Sequence, residues 1–315
     1  MERIVVLGSL NIDLVAPVDR LPREGETLAG GDLRLFGGGK GANQAAAAAR
    51  LGGDVVMIGQ VGSDAFGDRL TAGLAAFGVD VSGVGRSSRS TGSACIYVMP
   101  GGENAIVISP GANATVTPDI VMSRLSSARP YRFLLAQLEI PIEAVISAFA
   151  ESRNAGAVTI LDPAPYRSLP AELIRLADIV TPNQSEAAAL LGCPAGAPID
   201  SIEAASRAAA QLRAAGCRGV ILKLGSLGCY VDTPDGRGAI PPFAVEATDT
   251  TAAGDTFNAA LAVSLARGAA IMDSSLFANA AAAISVTRPG AQSSIPSAAE
   301  VEEFLRERRT AACSL

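Results

Sequence analysis

The 315-residue sequence contains no histidine and no tryptophan, and aromatic residues make up only 4% of it. The lack of histidine excludes Ser-His-Asp and Cys-His catalysis and every histidine-ligated metal site. The scarcity of aromatic side chains argues against a surface that stacks the bases of single-stranded nucleic acid. Any chemistry must therefore use carboxylates, lysine or arginine, backbone dipoles and bound ions.

Cysteine is also sparse. The five cysteines are an odd number, and no C-x-x-C pair occurs among them. A disulfide framework or a zinc site is therefore not expected, and a reducing, cytoplasmic location fits best. We expect all five to be small buried hydrophobic residues, namely Cys95, Cys193, Cys217, Cys229 and Cys313.

Long hydrophobic runs are missing too. No segment approaches about eighteen uninterrupted apolar residues, so no transmembrane helix is expected. The short apolar run after the N-terminus is typical of a buried strand and not of a signal peptide. The net charge of −6 is spread over interspersed acidic and basic residues, which disfavours nucleic acid or a membrane as the main partner.

The hydrophobic fraction of 49% is enough for a large core, and short β-branched runs alternate with helical patterns. The predicted strands are 4–10, 55–60, 132–138, 157–161, 178–181 and 220–224. The predicted helices are 43–51, 66–77, 118–126, 142–154, 185–191, 202–214, 254–266, 273–286 and 297–306. This rhythm predicts one α/β domain over residues 1–315, with a Rossmann-like, mostly parallel sheet flanked by helices on both faces.

Two β-rich stretches, at about 11–36 and 91–110, interrupt this rhythm. The second contains a hairpin signal, because two apolar runs flank the turn residues at 100–103. Two such insertions suggest a small separate sheet that closes as a lid over a site. Ordinary edge strands explain the same pattern equally well.

The segment DTTAAGDTFN, residues 249–258, is the strongest functional signal. Small residues and Gly254 lead into a helical pattern, and the free amides at such a helix start favour an anion, phosphate above all. Asp255 lies in the same turn as a candidate base for a hydroxyl that attacks a phosphoryl group. An N-cap role for Asp255 is the structural alternative.

Other polar residues follow predicted strands or glycines, and each has a structural alternative. Asn11 and Asp13 follow the first strand, where they could bind sugar hydroxyls or form an Asx turn. Lys40 and Asn43 follow three glycines before a helix, where they could bind an anion and a polyol or mark a close helix–sheet contact. Neither a dinucleotide fingerprint nor a Walker A loop is present.

Two further elements are candidates for nucleotide binding. Asn183 and Glu186 have the spacing of a capping box, and Glu186 could alternatively organise Mg²⁺ and its waters. The segment from Lys223 to Gly228 ends the predicted strand 220–224 with glycines that would let backbone approach a nucleotide, although a plain tight turn fits as well.

Over nearly its whole length the chain resembles the ribokinase branch of the PfkB sugar-kinase family. The matching segments, in family order, are GSLNID (8–13), GET (25–27), GGKGANQ (38–44), STG (90–92), GAN (111–113), QLE (137–139), TPN (181–183) with Glu186, LGS (224–226), DTTAAGDTFN (249–258) and TRPGAQ (287–292) with Ser294. The resemblance implies a ribokinase-like fold with a small β-sheet lid. It also implies transfer of phosphate from ATP to the 5-hydroxyl of D-ribose.

The resemblance assigns roles to individual residues. It implies Asp255 as the general base, and Ala252, Ala253 and Gly254 as a backbone anion hole. The sugar-binding positions are Asn11, Asp13, Gly39, Lys40, Asn43, Glu139 and Asp255. The nucleotide positions are Asn183, Glu186, Lys223, Gly225, Ser226, Gly228, Gly254 and Asn279, with Glu186 linked to Mg²⁺ through water. The monovalent-cation positions are Asp249, Thr251, Ser285, Arg288, Gly290 and Ser294, largely through carbonyl oxygens.

The implied ligands are ATP, Mg²⁺, K⁺ and a sugar, and the implied assembly is a homodimer formed through the lid. Three positions depart from the family pattern: Gly37, Gln184, and Lys223, which stands where many ribokinases have a hydroxyl residue. None of these departures removes a catalytic group. The rival functions are a family kinase for fructose, 2-deoxyribose or a nucleoside, and a catalytically silent sugar-binding regulator.

Overall fold

Strands and α-helices alternate along residues 2–192 and 199–312, which the computed structural model describes. The strands are β1 Ile4–Leu7, β2 Asn11–Pro17, β3 Arg34–Gly38, β4 Val55–Gly62, β5 Val84–Ser87, β6 Gly92–Val98, β7 Asn104–Ser109, β8 Phe133–Ala136, β9 Val158–Leu161, β10 Ile179–Val180, β11 Val220–Lys223, β12 Cys229–Thr233 and β13 Gly236–Ile240. The helices are α1 Lys40–Arg50, α2 Ala65–Ala76, α3 Pro118–Ala128, α4 Ile142–Asn154, α5 Ala171–Leu176, α6 Gln184–Leu190, α7 Ile202–Ala214, α8 Ala253–Ala266, α9 Ile271–Ser285 and α10 Ala298–Ala312.

Nine strands form the main sheet, in the order β13-β12-β11-β10-β9-β8-β1-β4-β5. The pairs from β11 to β5 are parallel, and β12 and β13 add an antiparallel hairpin at one edge. Parallel strands end at the same edge of the sheet, so the residues that follow them are brought together there.

Two hydrophobic clusters cover the two faces of this sheet. Successive residues of β1 alternate between them: Ile4 and Val6 belong to one cluster, Val5 and Leu7 to the other. Helices α1, α8 and α9 contribute to the first cluster, and α3, α4 and α7 to the second. The predicted mostly parallel sheet flanked by helices on both faces is confirmed.

A second sheet has four strands in the order β3-β2-β6-β7. It contains strands from both predicted insertions. Strand β2 of the first insertion pairs in parallel with β6 of the second, from Asn11 opposite Gly92 to Pro17 opposite Val98. The separate small sheet is therefore confirmed, whereas its action as a lid stays a prediction. Since β2 begins four residues after β1 ends, this sheet lies next to the edge where the parallel strands end.

Several local predictions differ from the structure. The strand predicted at 4–10 ends at Leu7, because the chain turns there and starts β2 at Asn11. The strands β5, β12 and β13 and the short helix α5 were not predicted. The apolar run of β12 ends before Asp232, and β13 carries Gly236 and Gly238 at its less exposed positions, so neither sequence shows the longer apolar run or the apolar/polar alternation that marks a strand.

No helix within the described residues is long and apolar enough to span a bilayer. Cys217 and Cys229 are buried, as expected, whereas Cys95 is only partly buried. Cys193 and Cys313 lie outside the described residues.

Candidate active site

Polar side chains from five parallel strands meet at the edge where these strands end. Asn11 follows β1, Glu139 follows β8, Asp162 follows β9, Asn183 follows β10, and Lys223 is the last residue of β11. Ligands bind beyond this edge in open α/β sheets. The first turns of α1 and α8 reach the same region, as the contacts below establish.

The start of α8 has the geometry of an anion site. Ala252 has φ 58°, and no other non-glycine residue in the described ranges has a positive φ. This conformation costs of order 1–3 kcal/mol and recurs at functional turns. The amide of Ala253 donates to the carbonyl of Thr250 at 3.3 Å, while those of Ala252, Gly254 and Asp255 have no hydrogen-bond partner among the described residues. Such free amides at a helix start attract anions.

Asp255 lies in that first turn and is only 5% exposed. Its carboxylate accepts hydrogen bonds from Asn43 Nδ2 at 3.1 Å and from Gln44 Nε2 at 3.0 Å. Burial raises the pKa of Asp255 to about 6. The Lys40 ammonium lowers this pKa, and the Asp162 carboxylate raises it. A buried carboxylate that titrates near neutral pH is suited to general-base chemistry.

Lys40 supplies positive charge to the same site. Burial opposes its charge, yet the carboxylates of Asp255, Asp162 and Glu139 hold the pKa of Lys40 above its ordinary value. Its side chain therefore stays protonated at neutral pH and offsets the repulsion among these acids.

The predicted sugar-binding residues of the strand ends lie close to one another. Ser9 Oγ donates to Glu139 Oε2, and the amide of Lys40 donates to the same oxygen at 3.0 Å. Burial, with the Glu139 carboxylate, raises the pKa of Asp13 to about 6. A Cβ on Gly38 would lie 2.3 Å from Asp13 Oδ2, so glycine is needed for this carboxyl group to occupy its position.

Asn11 is held in place from two sides. Asn113 Nδ2 donates to Asn11 Oδ1 at 2.7 Å, and Asn113 Oδ1 accepts from the amide of Leu10 at 2.9 Å. Gly39 has φ 89°, and a Cβ there would lie 2.8 Å from the backbone nitrogen of Asn11. Only glycine allows this close approach, which brings α1 and its Lys40 and Asn43 beside β2.

On the nucleotide side, Asn183 and Glu186 form the predicted capping box at the start of α6. Asn183 Oδ1 accepts from the amide of Glu186, and Glu186 Oε2 accepts from the amide of Asn183, both at 2.8 Å. Burial raises the pKa of Glu186, against the nearby Lys223 ammonium. The capping role is thus present in the structure, and a link to Mg²⁺ stays a prediction.

The remaining predicted nucleotide residues border the segment that follows β13. Gly225 and Ser226 form an exposed helical turn, and Gly228 has φ 85°. A Cβ on Gly228 would lie 2.1 Å from the carbonyl oxygen of Ile240. On α9, Asn279 donates to the carbonyl of Pro241 at 2.8 Å, so this residue lies beside the same segment.

The loop that precedes α8 joins the predicted monovalent-cation positions. Asp249 accepts from the amide of Thr251 at 2.9 Å and from the amide of Gly290 at 2.8 Å. The side chain of Arg288 pairs with Glu300 at 2.6 Å, which leaves its carbonyl as the group suited to a cation.

The serines of that set also turn their hydroxyls toward backbone. Ser285 Oγ and Ser294 Oγ each donate to a carbonyl three residues earlier, at 2.8 Å. In the described ranges no group of three or more Asp, Glu, Cys or His residues is arranged to hold a metal ion.

Three polar residues of this site had no predicted role. Asp162 is 2% exposed, and Gln44 and Gln137 are fully buried. Gln44 Nε2 donates to both Asp162 at 2.9 Å and Asp255 at 3.0 Å, and Gln137 Nε2 donates to Gln44 Oε1 at 2.7 Å. The available signal for Asp162 was its place directly after a predicted strand.

The chain is similar to known proteins over nearly its whole length. Residues 1–298 match the model of the pfkB family of carbohydrate kinases. A ribokinase of Haemophilus influenzae is 40% identical over 305 residues, which cover 96% of this chain and 98% of that protein. The ribokinase structure from Thermotoga maritima superposes with a TM-score of 0.87 at 38% identity, covering 97% of this chain and all of that one. A ribokinase of Arabidopsis thaliana, solved with ribose and ATP, superposes with a TM-score of 0.87 at 34% identity, covering 96% and 98%.

Proposed function

The chain belongs to the pfkB family of carbohydrate kinases, and we propose that it transfers the γ-phosphate of ATP to the 5-hydroxyl of D-ribose. The observation that best supports phosphoryl transfer is the buried carboxylate of Asp255 beside the unpartnered amides at the start of α8. The similarity to ribokinases over nearly the full length supports ribose as the substrate.

Sugar binding involves the polar groups beyond β1 and β8. Asn11, Asp13 and Glu139 offer oxygens that accept hydrogen bonds from ribose hydroxyls, and Asn43 both donates and accepts. Lys40 balances the charge of the carboxylates around it. These groups are fixed by hydrogen bonds or backbone approach before sugar arrives, so they orient the 5-hydroxyl toward Asp255 at low entropic cost.

In the chemical step, Asp255 accepts the proton of the sugar 5-hydroxyl while the hydroxyl oxygen attacks the γ-phosphorus, and the bond from that phosphorus to ADP breaks. The unpartnered amides of Ala252 and Gly254 stabilise the charge that spreads over the phosphoryl oxygens. The Ala253 amide would join them by exchanging its 3.3 Å contact with the Thr250 carbonyl for phosphate. The predicted nucleotide residues, from Asn183 to Asn279, orient ATP along the strand ends. Mg²⁺ would further neutralise the phosphates when bound, with Glu186 as its water-linked acid.

The small sheet is proposed to close over the bound sugar and exclude water, which would otherwise accept the phosphoryl group. Its strand β7 exposes Ile106, Val107 and Ile108, at 51–64% exposure. These side chains support the proposed homodimer through the lid, since a second copy would cover them.

The function is tested by measuring ADP release with ATP and a panel of D-ribose, 2-deoxyribose, fructose and a nucleoside. We expect the highest kcat/KM with ribose. Preference for another sugar would mean that the protein is a kinase for that sugar and not for ribose. Thermal stabilisation by ribose without any turnover would instead support a silent sugar-binding protein.

Activity should fall below about pH 6. Asp13 and Asp255 both have a pKa near 6, and both act as carboxylates, so protonation in acid removes a sugar contact and the base. The profile of kcat/KM, which reports the free enzyme, should decline with a slope near two on the acid side. The Asp13→Asn variant should show a slope near one, and a flat wild-type profile down to pH 5 would contradict these assignments.

A monovalent cation should activate the enzyme. Asp249 joins the loop before α8 to Gly290, so a cation bound to carbonyls there would hold the anion site in shape. Replacing K⁺ by Na⁺ or tetramethylammonium at constant ionic strength should lower kcat. Equal rates with all three salts would reject the cation site.

A further inference from the structure

Lys223 forms an ion pair that is largely removed from water. Its Nζ lies 3.1 Å from Asp162 Oδ1, and the two side chains are 14% and 3% exposed. Withdrawing two charges from water is costly unless their geometry is good, so such a pair is weak evidence for stability and suggests another role.

The ammonium of Lys223 lies close to the anion site. A Cβ built on Gly254 would lie only 3.4 Å from Lys223 Nζ. The amide of Gly254 is one of those without a hydrogen-bond partner among the described residues. The cation and the free amides therefore face the same small space.

Asp162 is fixed by a second contact, independent of the lysine. Its other oxygen, Oδ2, accepts from Gln44 Nε2 at 2.9 Å, and the same nitrogen donates to Asp255 at 3.0 Å. Gln44 is in turn held by Gln137 at 2.7 Å. This chain of contacts places the lysine and the candidate base relative to one another.

We propose that Lys223 is a catalytic residue whose ammonium contacts the transferring phosphoryl group beside Gly254, and that Asp162 is the positioning residue that holds it there. This inference rests on the proposed kinase function. It assigns Lys223 to the phosphoryl group itself, in addition to the nucleotide site as a whole.

The lysine makes or breaks no covalent bond in this role. The sugar oxygen forms a bond to phosphorus, the bond to the ADP oxygen breaks, and the proton goes to Asp255. Charge on the phosphoryl oxygens is stabilised by the fixed ammonium, which needs no reorganisation because Asp162 already orients it.

The central test compares Lys223→Met with Lys223→Arg. The methionine variant should lose about 10²-fold in kcat with a much smaller change in KM for ATP, and arginine should restore part of the loss. With ribose and Mg²⁺ present, affinity for ADP plus aluminium fluoride should fall by a similar factor, while affinity for ADP alone changes less than about threefold. Equal losses for both ligands, or an unchanged kcat, would overturn the proposal.

The positioning role of Asp162 is tested by a double-mutant cycle. Asp162→Asn should lower kcat by about tenfold, and Asp162→Asn combined with Lys223→Met should be no slower than Lys223→Met alone, because Asp162 acts through the lysine. Additive losses would mean an independent structural role and would reject the positioning role.

A control variant separates this role from general loss of a paired cation. Arg218 pairs with Asp178 at 2.9 Å and is exposed, at the edge where the strands begin. Arg218→Met should keep wild-type kcat and affinity for ADP plus aluminium fluoride.

If wild-type protein phosphorylates none of the sugars, the proposed function fails. If it is active and Lys223→Met is equally active, only the inference about Lys223 fails.

Discussion

The Asp255→Asn variant should turn over ribose about 10²–10⁴-fold more slowly than the wild type, the range lost when a general base is removed. Asparagine has nearly the same shape as aspartate but cannot take the proton from the sugar hydroxyl. The other groups near the sugar, Asn11, Asp13 and Glu139, are unchanged, so ribose should still raise the unfolding temperature of the variant. The measurements are single-turnover kinetics and a ribose titration of thermal unfolding.

A matched control is Asp68→Asn on α2. Asp68 is an exposed carboxylate that pairs with Arg86 at 2.7 Å, and exposed pairs contribute little to stability. Its turnover should equal that of the wild type. Near-normal turnover by Asp255→Asn would remove Asp255 from the mechanism, whereas loss of both turnover and ribose binding would indicate a disrupted site.

Replacing Gly41 by alanine should have the largest effect on stability. An added Cβ would lie 2.6 Å from Gly8 C and 2.6 Å from Ser9 N. Both are backbone atoms that cannot rotate away, so α1 must shift from the end of β1. We expect a loss of about 2–3 kcal/mol in the free energy of unfolding, measured as a lower thermal or urea midpoint.

The same substitution at Gly73 provides the control. Gly73 also lies inside a helix, α2, but nothing is within 4 Å of a Cβ added there. Alanine should stabilise the protein by about 0.5–1 kcal/mol, since it reduces the freedom of the unfolded chain. If the free energy of unfolding falls in Gly41→Ala and rises in Gly73→Ala, the close approach of α1 to β1, and not helix propensity, explains the need for glycine at position 41. Similar midpoints for both would contradict the packing described here.

The alternation of β-branched runs and helical patterns was enough to predict the architecture. The helices α4 and α7 follow strong periodic patterns, and the predicted ranges 142–154 and 202–214 agree with both helices. β1 was predicted from an uninterrupted apolar run instead. The hairpin of β12 and β13 was missed because the apolar run of β12 is short and the glycines of β13 remove the period of two. Short-range pattern thus predicts amphipathic helices and uninterrupted apolar strands better than strands that contain polar residues or glycines.

The candidate site was predictable where a residue lies in a distinctive local pattern. Asp255 follows small residues and a glycine at a helix start, a pattern with its own chemistry. Asp162 has no such pattern, and its importance arises from the neighbouring positions of β9, β10 and β11 in the sheet. The sequence did not order these strands, so the contact between Asp162 and Lys223 could not be predicted.

The most direct measurement is a crystal structure with ribose, ADP, Mg²⁺ and aluminium fluoride bound. We expect a carboxylate oxygen of Asp255 within hydrogen-bond distance of the ribose 5-oxygen, which lies in line with the aluminium. The amide of Gly254 should donate to a fluoride. A complex in which Asp255 points away from the 5-oxygen, or in which the fluoride lies far from the start of α8, would contradict the account.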